Sequence, residues 1–372
     1  QTPSLLAIPF FILLGTLMSY TGIAARILQI ANVLIGRMRG GLGGANILVS
    51  TMMGGVSASN LADAAMLSRM MVPEMEQKGY SRGFAAAITA SGSLITPIIP
   101  PGIALILYGL VADVSIGSMF MAGILPGLLC SAMLIVTVWL VAIRRGLKPS
   151  SEHWPKPKEV SVALVQAWPA LFLIVAVIGG IRANIFTPTE AGAVAVLLVM
   201  FIGFVIYREL KISHVFTALS ETARSTASVM LIIMASAALG WIFSLERAGI
   251  TVAEFVTSLT DNKYVFLLII NLLLLVLGMF LEGSAILLIL VPLLKPVVAH
   301  FGIDPVHFGI IMILNLSLGT LSPPVGTVML LVCNTVQVSV GQFMREAVPL
   351  LISLILLLLV ITYIPAISLL LV

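Results

Sequence analysis

Two stretches concentrate oxygen donors inside apolar runs. The first holds Gly54, Gly55, Ser57, Ser59, Asn60 and Asp63; about thirty residues on, Ser91, Gly92, Ser93, Thr96, Pro97, Pro100, Pro101 and Gly102 follow. The second holds Gly278, Glu282, Gly283 and Ser284, then Gly319, Thr320, Ser322, Pro323, Pro324 and Gly326. A helix broken at such a point leaves unpaired carbonyls at one half-helix end and unpaired N–H groups at the other. Carbonyl ends suit Na⁺ and N-terminal ends suit carboxylates. Serine and threonine hydroxyls, with backbone carbonyls, satisfy a hard cation without burying net charge. One ion site is therefore expected from Ser57, Ser59 and Asn60 facing Gly92, Ser93 and Thr96. A second is expected from Gly283 and Ser284 facing Gly319, Thr320 and Ser322. Asp63 and Glu282 are carboxylates at membrane depth and so functional candidates, although Asp63 could simply cap a half-helix. Ser59, Asn60, Asp63, Glu282 and Thr320 are the candidates for contact with a substrate. Any single glycine or serine here is explained by close helix approach; four clusters in matched order are not.

The order can be counted. Gly22 and Gly249, Ser57 and Ser284, and Gly92 and Gly319 all lie 227 residues apart; Gly117 and Gly341 lie 224 apart, and Pro126 and Pro349 lie 223 apart. Corresponding Gly/Pro-interrupted apolar segments in two halves point to the binding site of a secondary transporter. Backbone groups freed at membrane depth need protein or a water-lined cavity to satisfy them, and the prolines keep each break open by removing donors.

Hydrophobic residues make up 60% of the 372-residue chain and charged residues only 9%, against roughly 25% charged in soluble domains. This is a polytopic membrane protein lying in a lipid bilayer. The net charge of +4 comes from basic residues at segment ends, as cytoplasmic flanks require, and implies no nucleic acid. The two cysteines, Cys130 and Cys333, sit in apolar runs and read as core; the four histidines are dispersed. No nucleophile–base pair or HExxH-like spacing indicates an intramembrane enzyme, and nothing indicates an organic cofactor.

The elements that must position these donors follow from hydropathy. Pro3–Tyr20 is long enough to span, and Gly22–Arg39 suits an interfacial arm helix. Leu42–Met53 and Leu61–Met75, each about 12–15 residues against the ~20 a span needs, read as a re-entrant hairpin. Ser81–Ala112 is a crossing broken at 92–102, and Gly117–Ile143 crosses back. Residues 146–165 form a polar cytoplasmic linker. Gln166–Ile181 and Ala191–Tyr207 cross, with Thr187-Pro188-Thr189-Glu190 a capping box. Thr226–Leu245 crosses to an acidic arm, Glu246–Asp261. Val265–Gly278 and Ala285–His300 form the second hairpin, Pro305–Gln337 the second broken helix and Phe343–Val372 the last span. Basic flanks (Arg37, Arg39, Lys78, Arg82) place the first hairpin's base in the cytoplasm; Glu254, Asp261, Lys263 and Asp304 place the second outside. The halves, 1–145 and 166–372, are therefore expected to be inverted repeats. The 227 offset places the counterpart of Gln166 about sixty residues before Gln1, so an N-terminal portion of that length is expected to precede this chain.

The tips and flanks also carry a family likeness. Ser-Ala-Ser-Asn-Leu-Ala-Asp-Ala-Ala (57–65), Val-Pro-Glu-Met-Glu-Gln-Lys-Gly-Tyr (72–80), Ile-Ile-Pro-Pro-Gly (98–102), Gly-Ile-Asp-Pro-Val-His-Phe-Gly (302–309) and Ser-Pro-Pro-Val-Gly (322–326) resemble the large membrane (M) subunit of tripartite ATP-independent periplasmic (TRAP) transporters, from about Pro3 to Val372. The chain departs where Ser57-Ala58-Ser59 replaces the usual Ser-Gly-Ser and where Glu282 is followed by Gly283-Ser284 rather than threonines. The resemblance implies an all-α elevator-type fold of the ion transporter superfamily kind in the bacterial inner membrane. It implies Na⁺-coupled uptake of a carboxylated solute, of the sialic acid or C4-dicarboxylate class, with at least two Na⁺ sites. The implied partners are a small four-helix membrane subunit and a soluble periplasmic binding protein. The expected transport domain is 42–112 plus 264–337, the remainder being scaffold. The alternative is a stand-alone Na⁺/dicarboxylate symporter of the divalent-anion type, needing no binding protein.

Overall fold

The computed structural model describes residues 3–57, 59–149 and 155–372, the side chains of residues 3–4, 55–57 and 244 excepted. Among these residues it is helical throughout, with one isolated β-bridge, Arg39 to Pro149. Seven helices are long and apolar enough to cross a bilayer, or eight if the bent first pair counts as one span.

After a 3₁₀ turn, α1 (Ala7–Met18) bends by 70° into the arm α2 (Ile23–Ile35). The first hairpin is α3 (Gly41–Ser57) and α4 (Asn60–Gln77); the first broken helix is α5 (Arg82–Ser93) and α6 (Ile103–Ala112). Helix α7 (Ile116–Arg144) closes the first half. The second half runs through α8 (Pro157–Arg182), α9 (Pro188–Phe201, ending in a π turn), α10 (Ile212–Leu245) and the arm α11 (Ala248–Leu259). The second hairpin is α12 (Lys263–Phe280) and α13 (Gly283–His300), and the second broken helix is α14 (Pro305–Gly319) and α15 (Thr327–Val336). Helix α16 (Val340–Tyr363) and the short α17 (Ala366–Leu369) end the chain.

Several elements differ from their sequence reading. The hairpin limbs are 17 or 18 residues long, about 26 Å, so they are re-entrant by geometry and not by shortness. The second limb of each is opened by its own N-cap, Ser59 for α4 and Glu282 for α13. The linker is shorter than 146–165, since α8 starts at Pro157, where proline suits a first helical position and Glu159 accepts the Lys156 amide at 3.1 Å. Helix α10 starts fourteen residues before Thr226 because Ser220 to Ser228, though polar, continue the helix.

The repeat is present, but its register is 223–224, not 227. Ser59 and Glu282 (helix N-caps), Gly79 and Gly302 (positive φ), and Ser81 and Asp304 (N-caps) are each 223 apart. Gly102 and Gly326, Asp113 and Gln337, and Ser115 and Ser339 are each 224 apart. The discrepancy is about one helical turn, the interval at which small residues recur on one helix face. In the corrected register Ser59, not Ser57, is the counterpart of the Glu282 region, so the two tips are chemically unlike.

The inversion is visible in the contacts. The base of the first hairpin is tied by Gly43 N donating to Tyr80 Oη (3.2 Å), and Ser81 donates to Glu346, which pairs with Arg145 at 2.6 Å. These groups share the basic, cytoplasmic face. The base of the second hairpin lies at the other end of α16, where Tyr363 donates to the Tyr264 carbonyl (3.3 Å). There too Tyr108, near the far end of α6, donates to the Pro305 carbonyl at 2.6 Å. Both cysteines are buried and free, as core residues are.

Candidate functional site

Helix α4 is capped by Ser59, whose Oγ accepts the Ala62 amide at 3.3 Å. Asp63 stands in its first turn, where a negative charge is favoured, and is only 1% exposed. Its Oδ2 accepts the hydroxyl of Thr96 at 2.5 Å. Thr96 lies in the unwound stretch after α5, so this bond ties the first hairpin to the first break. Gly54 makes it reachable: a Cβ there would sit 2.9 Å from the Thr96 Cα, pushing the break away from α4.

At the second tip Glu282 is the N-cap of α13. Its Oε2 accepts the Ala285 amide (3.1 Å) and its Oε1 accepts the Ser284 hydroxyl (2.9 Å). The close approach recurs here, since a Cβ on Gly319 would lie 2.6 Å from the Gly278 Cα. The second break closes on itself. Thr320 donates its hydroxyl to Ser317 O (2.6 Å), and its carbonyl accepts the amides of Val328 and Met329 at 3.1 and 3.2 Å. Gly326 N donates to Met279 O at 3.1 Å, holding hairpin and break together.

Both tips open on one cavity of about 750 Å³. All five expected substrate residues line it: Ser59, Asn60, Asp63, Glu282 and Thr320. Of the expected ion ligands, Asn60, Gly283, Ser284 and Thr320 also line it. Thr96 reaches it through Asp63. Gly92 and Gly319 instead face neighbouring helices, at Ser50 and Gly278. Ser93 is fully buried and turns its hydroxyl back to Ala90 O (2.8 Å), and Ser322 lies off the cavity wall with its hydroxyl on Leu318 O (3.4 Å). The Ser57 side chain lies outside the described residues. Four helix N-termini converge on the space: α4, α6 at Ile103 and Ala104, α13, and α15 at Thr327. Their partial positive charges favour an anion.

The opposite wall was missed from sequence. Thr16 and Ser19 of α1 and Glu221, Arg224 and Ser225 of α10 complete the lining. The signal existed: ionisable residues inside a helix of spanning length mark a site by default. Reading the span from Thr226 placed them outside it.

Among the described residues no group of three or more His, Cys, Asp or Glu could hold a metal. At the first tip the oxygens on offer are those of the buried Asp63 carboxylate, the Thr96 hydroxyl bonded to it, and the Ser59 and Asn60 side chains. At the second, Glu282 and Ser284 supply the oxygens, while the Thr320 carbonyl is already doubly engaged.

Residues 1–367 match the family described as tripartite ATP-independent periplasmic transporter, DctM component. The chain belongs to this family. It is 40% identical over 370 residues to the sialic acid TRAP transporter large permease protein SiaM of Vibrio cholerae, covering 99% of this chain and 86% of that one. It is 36% identical to the C4-dicarboxylate TRAP transporter large permease protein DctM of Pseudomonas aeruginosa (98% and 85% covered) and 36% identical to the 2,3-diketo-L-gulonate TRAP transporter large permease protein YiaN of Escherichia coli (97% and 85%). In fold it matches the crystal structure of the Alcanivorax borkumensis YdaH transporter, with a TM-score of 0.66 at 15% identity over 98% of this chain and 86% of that one. This DctM-family chain is thus a multi-pass protein of the bacterial inner membrane and a transporter component, all-helical, with inverted repeats that each hold a hairpin and a broken helix.

Proposed function

We propose that this DctM-family subunit carries a carboxylated organic solute inward together with Na⁺, by moving its hairpins and broken helices as one body past a static frame. The observation that carries the reading is the convergence of four half-helix N-termini and both hairpin tips on a single cavity. An anion is favoured by those N-termini, yet Asp63, Glu221 and Glu282 also line the space against Arg224 alone. A carboxylate entering would be repelled by these acidic groups, most strongly where water is excluded. Co-transported Na⁺ would offset that charge at the oxygens of Asp63, Thr96, Ser59 and Asn60. The relatives named for sialic acid and C4-dicarboxylates support the solute class, and membership of a tripartite family supports a small membrane subunit and a periplasmic binding protein as partners. That membership also favours this reading over a stand-alone symporter.

Side-chain bonds support two bodies. Thr51 to Ser131 (2.8 Å) and Asn271 to Thr362 (3.0 Å) join the hairpins to α7 and α16, Ser81 to Glu346 (2.9 Å) joins the start of the first broken helix to α16, and Arg145 to Glu346 joins α7 to α16. The proposed moving body is therefore wider than 42–112 and 264–337, taking in α7 and α16. Tyr207 to the Gln166 carbonyl (2.7 Å), Arg26 to Glu209 (2.8 Å) and Tyr20 to Glu221 (3.5 Å) join α1, α2, α8, α9 and α10 as the frame. The test is uptake by proteoliposomes holding the assembled transporter, with succinate and N-acetylneuraminate as probes. Uptake should follow an imposed inward Na⁺ gradient and stop when Na⁺ is equal on both sides; uptake that ignores Na⁺ would remove the coupling from this reading.

A further inference from the structure

Arg224 is the one basic residue on the described cavity wall. Helix α10 begins at Ile212, just after Arg208 and Lys211 on the basic face, and Arg224 lies about 18 Å along it. Across from it, α1 presents Ile12, Thr16 and Ser19, a stripe that runs to the cytoplasmic end of that helix. The cavity therefore extends from the hairpin tips toward the cytoplasm. An arginine that served only as a basic flank would snorkel toward lipid headgroups; this one faces the cavity.

Its nearest acidic neighbour along the helix, Glu221, also meets the end of α1. Tyr20 Oη donates to Glu221 Oε1 at 3.5 Å, and the Tyr20 ring is held by stacking on His214 at 4.8 Å. Arg224 takes no part in the ion pairs Arg26–Glu209, Arg82–Glu76 and Arg145–Glu346. Its planar fork of donors matches a carboxylate bidentately.

We propose that Arg224 receives the solute carboxylate on the cytoplasmic side, drawing it off the hairpin tips during release. This rests on the carboxylate reading above. With Arg224 in the proposed frame and the tips in the proposed moving body, a shared cavity that runs toward the basic, cytoplasmic face is the arrangement from which solute would leave. Arg224 therefore governs exit and not capture.

Two measurements test this on the assembled transporter. In permeabilised membranes, a Thr16→Cys variant is labelled with the anionic sulfonatoethyl and the cationic trimethylammonioethyl methanethiosulfonates. Adding Arg224→Gln should lower the anionic-to-cationic rate ratio by about threefold or more, as loss of a charge across a partly screened cavity requires, and Arg224→Lys should restore it. In cells, Arg224→Gln should cut the maximal rate of succinate or N-acetylneuraminate uptake several-fold with the half-saturating concentration unchanged. An unchanged labelling ratio overturns the proposal, as does a raised half-saturating concentration at an undiminished maximal rate. If the wild type carries carboxylates and Arg224→Gln matches it, this inference alone fails; if the wild type carries neither probe, the functional reading fails with it.

Discussion

Thr96 and Gly319 show how much hangs on single atoms in this molecule. They occupy equivalent positions in the 223 register, each pressed against a glycine in the first limb of its own hairpin, Gly54 and Gly278. Gly319→Ala would place a methyl 2.6 Å from the Gly278 Cα, and backbone cannot yield cheaply. Overpacking of this kind costs about 1–3 kcal/mol. The expected result is a lower melting temperature in detergent and a displaced second tip; an unchanged Tm would show that the two helices can part freely. Thr96 carries the chemical half of the contact. Thr96→Val removes a donor from a buried carboxylate, worth about 1.5–3 kcal/mol, whereas Thr96→Ser keeps it. Thr96→Val should raise the Na⁺ concentration needed for half-maximal uptake, with Thr96→Ser close to wild type. Equal Na⁺ curves for both would separate this hydroxyl from the ion. The breaks and tips were legible in the sequence because Gly, Ser and Pro are rare enough in apolar runs to stand out. Which oxygens face the cavity was not, since Gly92, Ser93 and Asn60 differ in direction and not in type.

At the level of elements, the two hairpin bases lie at opposite ends of α16, and the basic flanks of the first are the expected cytoplasmic signal. A cysteine at the exposed Lys78 position should react with an impermeant thiol reagent only from the cytoplasm, and one at Asp261 only from the periplasm; labelling of both from one side would contradict the inversion. Hydropathy was a poorer guide to helix starts. Helices α8 and α10 begin well before their apolar stretches, at Pro157 and Ile212, because capping and continuous backbone bonding carry a helix through polar residues that a window average rejects. The same averaging hid Glu221 and Arg224. The repeat offset failed for a different reason: Gly and Ser recurring one turn apart match almost as well in a register shifted by four.

At the scale of the whole molecule, the proposed division into two bodies follows where the directional bonds lie. A cysteine pair at Ile35 and Gly44 would span the two bodies, since a Cβ on Gly44 lies 3.0 Å from the Ile35 side chain, within reach of a disulfide. Oxidation should arrest uptake and reduction should restore it; full transport by the oxidised protein would favour a local gate around a fixed site. Arg182 of α8 bridges the bodies at the outer end, donating to the Leu371 carbonyl at 2.9 Å and lying 3.6 Å from the Met121 sulfur. Elsewhere α2 meets α3, and α11 meets α13, through side chains such as Ile35 against Gly44 and Pro296 against Gly249. If the two bodies slide as proposed, such a surface would behave as a bearing. Apolar contact has no direction, so a sliding face trades one set of neighbours for another at nearly constant buried area. Each hydrogen bond across it would instead be a catch to be released, at about 1 kcal/mol apiece. On that proposal Arg182 would be a detent, a shallow notch that marks one end of the stroke without blocking it.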